Sequence, residues 1–408
     1  MLLRQFSRHS FTVLRQKLNI AVLLSLRNAF GQGVLKGVSH FARLHPEWSL
    51  LWLDIETILV PGFAERYAPD GIIVHLSSDA MAAAAAAAGS RVVNVSNRHF
   101  AQPVTTVTSD DKAAGRLCAR YFIERNYQQL AFIGHEEKRS YRQRCEGFRS
   151  EAGERAVATT EHWVEGLGPT GFYSDAEECR LVRWMESLPK PVGVMVSSDR
   201  YASYFIDFCL RHGIRVPEEV AVVGVDNDPL KNGLCRIPLS SVELGVEMVG
   251  FRAAKLLSDL IRGTATPGGT VYIPPVRVVE RASSEHFSVT DLALNDALQH
   301  IYKHIHEFHS VEDLASFLKV SRRTLERRWA KQLGDSPLNE LRRIRIRKAK
   351  KLLLETNLSC KEVASAVGLP DNRSLTLLFR TMEDTTPSAY RKRRGPVQDG
   401  VTGMHSHR

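Results

Sequence analysis

The sequence predicts an α/β bilobal body, two doubly wound parallel-sheet lobes, followed by an all-α domain with two helix-turn-helix units. Three observations carry this expectation. Apolar strand-like runs alternate with helical segments from Asn19 to Arg281, strand signals stop beyond that point, and the positive charge gathers in the C-terminal part.

A chain of 408 residues exceeds what a single hydrophobic core serves, so two or three domains are expected. With 43% apolar and 25% charged residues the composition is that of a soluble globular protein, and no window approaches the ~18 unbroken apolar residues of a membrane helix. The net charge is +10. Residues 288–395 hold 21 Lys and Arg against 13 Asp and Glu, which places eight of the ten excess positive charges there. A basic domain on a nearly neutral body points to a polyanionic partner. Six cysteines stand far apart with no CxxC, as expected of a reducing compartment. The first 18 residues form a basic leader free of acidic residues.

The body opens on NIAVLLSL, a strand, then AFGQGVLKGVSHFARL, a helix, then the strands WSLLWLD and DGIIVHL. The seven alanines Ala82–Ala88 follow. Alanine is the best helix former, so a packed crossover helix is expected there and no function. RVVNVSN and LAFIGH continue the strands, the latter leading into a helix containing RQRCEGFRSEAG. VGVMVSS precedes DRYASYFIDFCLRHG, VAVVGVDN precedes a loop, and SSVELG precedes VEMVGFRAAKLLSDLIRG. Unbroken apolar strands separated by helical spacing are the mark of parallel sheets covered on both faces. The expected boundaries are a leader 1–18, a two-lobed body 19–281, a linker 282–291, an α domain 292–394 and a tail 395–408.

In the α domain, Ser310-x-x-Asp313 begins the short helix VEDLASFL, and Lys319-Val320-Ser321 turns the chain into a second helix capped by Ser321. Val320 and Leu325 take staple positions about that cap. Leu325 and Trp329 share one face of this helix. Arg322, Arg323, Glu326 and Arg327 project from the other, near its N-terminus. That is a helix-turn-helix, with a cluster suited to guanine edges and phosphates in a major groove. A second unit follows fifty residues on. Ser359-x-x-Glu362 caps KEVASAV, Gly368-Leu369 turns, and DNRSLTLLFR brings Leu375 and Phe379 to the places of Leu325 and Trp329. SPLNELRRIRIRKAKKLLLET joins the units as one helix, with Leu338, Leu341, Ile344, Ala349 and Leu352 expected along its inner side. About nineteen residues at ~1.5 Å each span roughly 28 Å, close to the ~34 Å between successive major-groove faces.

Two other chemistries have a partial signal in the sequence. Gly31-x-Gly33-x-x-x-Gly37, with Asp54 ending the next strand, hints at an enzyme on a doubly wound nucleotide-binding fold. A dinucleotide loop needs its first glycine directly after the strand, whereas RNAF intervenes here. His300, His304, His306 and His309 cluster in LQHIYKHIHEFH without the glutamate of HExxH, so polar helix surface is the expectation. No metal and no cofactor is expected.

Residues 292–394 resemble the AraC/XylS family of bacterial transcription regulators through LASFLKVSRRTLERRWAKQLGDSP, RIRKAKKLLLET, KEVASAVGLPDNRSLTLLFR and TTPSAYRKR. The resemblance implies DNA contacts from Arg322, Arg323, Glu326 and Arg327, then from Asn372, Arg373 and Thr376. The second helix departs from the pattern with Leu377 and Leu378 and few charges. AVLLSLRNAFGQGVLKGV, VTSDDKAAGRLCARYFIERN, RCEGF, VMVSSDRYA and VAVVGVDND resemble the LacI/GalR family and its periplasmic-binding-protein-like fold. The combination, with IPPVRVVERASSEH and DTTPSAYR, is similar to regulators of xylose-type pentose operons. It implies a non-enzymatic, cytoplasmic, nucleoid-associated DNA-binding regulator, homodimeric, answering to a sugar such as xylose and contacting RNA polymerase at an operator.

A ligand of such a body is expected at the carboxyl ends of the strands, between the lobes. Residues following strands are Ser25, Arg27 and Asn28; His75; Asn94 and Asn97; Asp199; and Asp226 with Asn227. Arg144, three residues before Gly147, matches the LacI-type RxxGF pattern, which implies an arginine over the ligand. A carboxylate such as Asp226 accepts two sugar hydroxyls and Arg144 donates a matching pair.

Overall fold

The computed structural model describes residues 17–392, apart from positions 90, 99, 102, 136–137, 166–172, 286, 290 and 334. The basic leader and the tail therefore lie almost wholly outside the described residues. In chain order the strands are β1 (Leu18–Leu23), β2 (Trp48–Leu53), β3 (Gly71–Val74), β4 (Arg91–Asn94), β5 (Thr106–Ser109) and β6 (Gln129–His135). They continue with β7 (Ala158–Val164), β8 (Val192–Val196), β9 (Val220–Val225), β10 (Ser240–Glu243), β11 (Thr270–Ile273) and β12 (Arg277–Val279).

The chain forms two compact units, each made of two stretches of sequence. One comprises the described residues up to Asp111 together with Leu244–Pro275, the other Lys112–Glu243 together with the described residues from Val276. The first holds a sheet in the order β11-β5-β4-β3-β1-β2, with every recorded pairing parallel. The second holds β12-β10-β9-β8-β6-β7, parallel except for β12 against β10. Strands β3, β8 and β9 are buried at every residue, as helices on both faces require.

The glycines of GQGVLKG have a packing task. Helix Ala29–Leu44 lies against helix Val246–Ile261, and a Cβ on Gly37 would come within 1.9 Å of the Glu247 carbonyl oxygen, one on Gly33 within 2.2 Å of the Val246 side chain. The same device recurs in the second unit. There Gly115 of helix Asp111–Ile123 and Gly147 of helix Arg139–Glu154 each meet the other helix's backbone, at 2.0 and 1.9 Å. Gly33, Gly37, Gly115 and Gly147 bring helices into contact, while Gly31 clears the Ser25 carbonyl oxygen, which a Cβ would approach to 2.0 Å.

The alanine run forms helix Asp79–Ala87, capped by Ser78. The stretch after β9, read from sequence as a loop, is instead helix Pro229–Leu234, with Asp228 accepting from the Leu230 and Lys231 amides and Pro229 at the first helical position.

Beyond Asp291 the second unit is helical. Its core gathers Leu294, Leu298, Ile301, Leu314, Leu325, Trp329, Leu341, Ile344, Leu375 and Phe379, and it recruits Phe287 and Val289 from the linker. The connector is helix Pro337–Glu355, one element as expected. One expectation fails on it: Leu338 is 41% exposed, whereas Leu353 takes the buried place, because the inner stripe begins only at Leu341.

Candidate DNA interface and effector site

Each helix-turn-helix begins with a reciprocal capping box. Ser310 accepts from the Asp313 amide while Asp313 accepts from Ser310, and Ser359 and Glu362 repeat the arrangement. The turn in the first passes through Lys319 at φ 54°, in the second through Gly368 at φ 73°. Helix Arg322–Leu333 buries Leu325 and Trp329 and helix Asn372–Glu383 buries Leu375 and Phe379, so the second helix of each unit is held by the same pair of knobs.

What each helix turns outward differs. Arg322, Arg323, Glu326 and Arg327 are exposed, as the sequence predicted. Arg322 is engaged: its guanidinium meets Glu312 and, at 2.9 Å, Glu326. Arg323 and Arg327 enter no hydrogen bond or ion pair among the described residues, and their forks stay available. Arg328 turns the other way and grips Asp291 at 2.6 to 2.9 Å; that bond holds the Asp291 carboxyl below its ordinary range. In the second unit Asn372 and Arg373 are exposed, while the Thr376 hydroxyl donates to the Asn372 carbonyl at 2.8 Å. Of the two leucines, Leu378 is buried and Leu377 is 66% exposed.

The strand-end residues of the first unit divide into frame and surface. Asn28 caps helix Ala29–Leu44 through the Gly31 amide at 2.8 Å, and Ser25 accepts from the Arg27 amide at 3.5 Å. Arg27 and Asn28 are exposed. His75 packs edge-on against Phe30. Asn94 is fully enclosed, bonding Leu76, Ser96 and Thr106, so it is part of the frame. Asn97 binds Asp111 at 2.5 Å.

In the second unit the sequence-predicted residues converge. Arg144 is buried, donates to the Ser197 carbonyl at 2.5 Å, and places its other nitrogen 3.7 Å from Asp226. Asp226 and Asn227 both have positive φ, 111° and 49°, a bend that turns this loop off the end of β9. Asp226 remains partly exposed. Asp199 is fully buried beneath it, accepting from the Ser241 hydroxyl at 2.6 Å and the Asp228 amide at 2.7 Å. Burial, and then the neighbouring Asp226 charge, push the Asp199 pKa up to about 8. Asp199 thus holds the start of the segment that follows Asp226, through the Asp228 amide. Asn227 accepts from Arg281 at 2.8 Å. Sequence reasoning missed the aromatic wall beside Arg144: Tyr141 lies under its guanidinium and edge-on to Tyr201, which also faces His135. A carboxylate, an arginine and aromatic faces are the equipment of a small polyol site.

It also missed the joint between this lobe and the helical domain. Arg125, just past helix Asp111–Ile123, binds Glu280 at 2.6 Å; Tyr302 of helix Leu292–His304 donates to the other oxygen of Glu280 at 2.5 Å. Tyr121 adds a third bond at 3.0 Å. Burial would raise the Glu280 carboxyl, yet the Arg125 charge and these donors hold it below its ordinary range. Beside it, Asn126 donates to the Ser288 and Gln332 carbonyls, and Arg347 of the connector donates to the Glu124 carbonyl at 2.6 Å. Apart from Tyr302 and Glu280, 22 residues apart, these partners stand 155 or more residues apart and leave no signal in local sequence.

Among the described residues no helix is long and apolar enough to cross a membrane. None of their His, Cys, Asp and Glu side chains form a group of three able to hold a metal; His300 stacks on His304 and Phe317 instead.

Comparison with known proteins agrees with this geometry. Residues 119–284 match the periplasmic binding protein-like domain family and residues 314–393 a helix-turn-helix domain family. The chain is 28% identical to the xylose operon regulatory protein of Escherichia coli K12, over 91% of this chain and 96% of that one. It is 26% identical to the xylose operon regulatory protein of Haemophilus influenzae, over 92% and 98%. The solved structure of a xylose-binding transcription activator covers 93% of this chain and 99% of its own at 27% identity, with a TM-score of 0.60. The chain is therefore a homologue of the xylose operon regulatory proteins: a DNA-binding transcription regulator that joins a periplasmic binding protein-like sensor to an AraC-type helix-turn-helix domain.

Proposed function

We propose that the chain binds a pentose, xylose or a near relative, and that binding changes its affinity for the operator of a pentose-catabolic operon. Residues 19–281 are the effector-binding domain, 282–291 the linker and 292–394 the DNA-binding domain. Arg144 and Asp226 hold the sugar hydroxyls, with Asp199 and Asn227 setting the loop that carries Asp226; Ser25, Arg27 and Asn28 supply further contacts from their own unit. Arg323 and Arg327 read bases, while Arg322 and Glu326 brace one another and Asn372, Arg373 and Thr376 serve the second helix. The protein acts as a homodimer on the nucleoid in the cytoplasm and contacts RNA polymerase.

One observation carries the reading. The Arg144–Asp226 pair lies in the same compact unit as the two capped helix-turn-helix elements, and the Arg125–Glu280–Tyr302 joint ties that lobe to the helical domain. A ligand shifts such a system only through its differential affinity for two states, and the joint is where those states would differ. Calorimetry of the full chain against D-xylose, other pentoses and hexoses tests it. A pentose binding at micromolar to millimolar concentration is expected; no binding by any sugar would remove the effector half of the proposal.

A further inference from the structure

The middle of the second recognition helix lacks the arginine fork of the first, although Asn372 and Arg373 keep polar groups at its start. In the fifty-residue register that sets Leu375 on Leu325 and Phe379 on Trp329, Leu377 stands at the place of Arg327 and Thr376 at that of Glu326. Leu377 is 66% exposed and stands outside the buried core. Thr376 spends its hydroxyl on the Asn372 carbonyl at 2.8 Å, and Thr381 spends its own on the Leu377 carbonyl at 3.0 Å. Their hydroxyl hydrogens are thereby taken, which leaves each its methyl group and an acceptor oxygen for other contacts. Arg373 and Arg380, about one turn to either side of Leu377, are exposed. The outward face is therefore apolar at its centre and cationic at both ends.

Cationic ends suit the two phosphate walls of a major groove. The apolar centre then meets base edges, and the only apolar group on the major-groove edge of any base pair is the C5-methyl of thymine. We infer that Leu377 is a specificity-determining residue that reads a thymine methyl, so that the second half of each binding site is recognised by apolar contact where the first is recognised by arginine. The inference rests on the reading of helix Asn372–Glu383 as a recognition helix.

The test uses the full-length protein and duplexes selected by it from a random-sequence pool. Each thymine of the preferred duplex is replaced singly by deoxyuridine, which removes only the methyl, and affinity is measured at fixed salt. Burying one methyl corresponds to about a fourfold change in affinity. Wild type should lose about fourfold at one or two thymines in one part of the site, and Leu377→Ala should bind the thymine and deoxyuridine duplexes alike. Arg323→Ala should bind more weakly overall yet keep the deoxyuridine sensitivity. Leu377→Gln should move the preferred base at that position from thymine toward adenine, a change that a merely structural residue would not produce. Selection of a duplex with no deoxyuridine-sensitive thymine overturns this inference alone, as does undiminished sensitivity in Leu377→Ala, including the case where that variant loses only transcription activation and the leucine serves a protein partner. Failure to select any duplex overturns the recognition-helix reading with it.

Discussion

Arg125 Nη2 lies 2.6 Å from Glu280 Oε1, with both side chains withdrawn from solvent and Tyr302 closing on the second carboxylate oxygen. The pair links the helix that carries Gly115, packed on the Arg144 helix, to the first helix of the DNA-binding domain. If the sugar site is where proposed, a shift there that moves one of these helices also loads this joint.

Removing one partner of such a pair leaves a buried charge unpaired. Arg125→Met alone is expected to cost about 3–5 kcal/mol, whereas combining it with Glu280→Gln should cost less than the sum of the two single changes. Denaturant unfolding of the four proteins measures the coupling. In the double variant, sugar binding should survive while its effect on operator affinity shrinks; full retention of that effect would show that the signal travels elsewhere.

Three arginines on the first recognition helix look alike in sequence and differ in structure. Arg323→Ala and Arg327→Ala should each lose about 1–3 kcal/mol of operator affinity. Arg322→Ala should lose less, because Glu312 and Glu326 already occupy its guanidinium. Titration of labelled operator ranks them, and a loss for Arg322 equal to the others would show that DNA strips it from those glutamates.

Much of this was legible in sequence where the rules are local. Ser310 with Asp313, Ser359 with Glu362, and the i, i+4 pairs Leu325/Trp329 and Leu375/Phe379 announce themselves within a turn or two of helix. Asp228-Pro229 is an equally local signal for a helix start, an N-cap followed by a proline at the first helical position. Leu338 was assigned inward by periodicity alone, which gives the stripe's phase but not where it begins. Arg144 and Asp226 came from a resemblance and from strand ends. What distinguishes Asp226, partly open, from Asp199, sealed under it, is contact with Ser241 and the Asp228 amide, and no spacing in the sequence encodes that burial.

The buried Asp199 makes a pH prediction. Its folded pKa of about 8 lies above the ordinary carboxyl value, so its contribution to stability is fully present below about pH 4 and is lost as pH rises toward 8. Asp199→Asn, which keeps the shape and carries no charge, should flatten the fall in stability between pH 5 and pH 8. Urea unfolding at those two pH values is the check, and an unchanged slope in the variant would mean that Asp199 does not titrate there.

The central claim is that a sugar held by Arg144 and Asp226 alters operator binding. Asp226→Asn tests it most cleanly, since asparagine tolerates the φ of 111° while withdrawing the charge that faces Arg144. Calorimetry with D-xylose, or with whichever pentose binds wild type best, is run beside operator titrations with and without that sugar. At least tenfold weaker sugar binding, unchanged operator affinity without sugar, and loss of the sugar-dependent change are expected. Wild-type sugar affinity in Asp226→Asn, with the operator response intact, would contradict it.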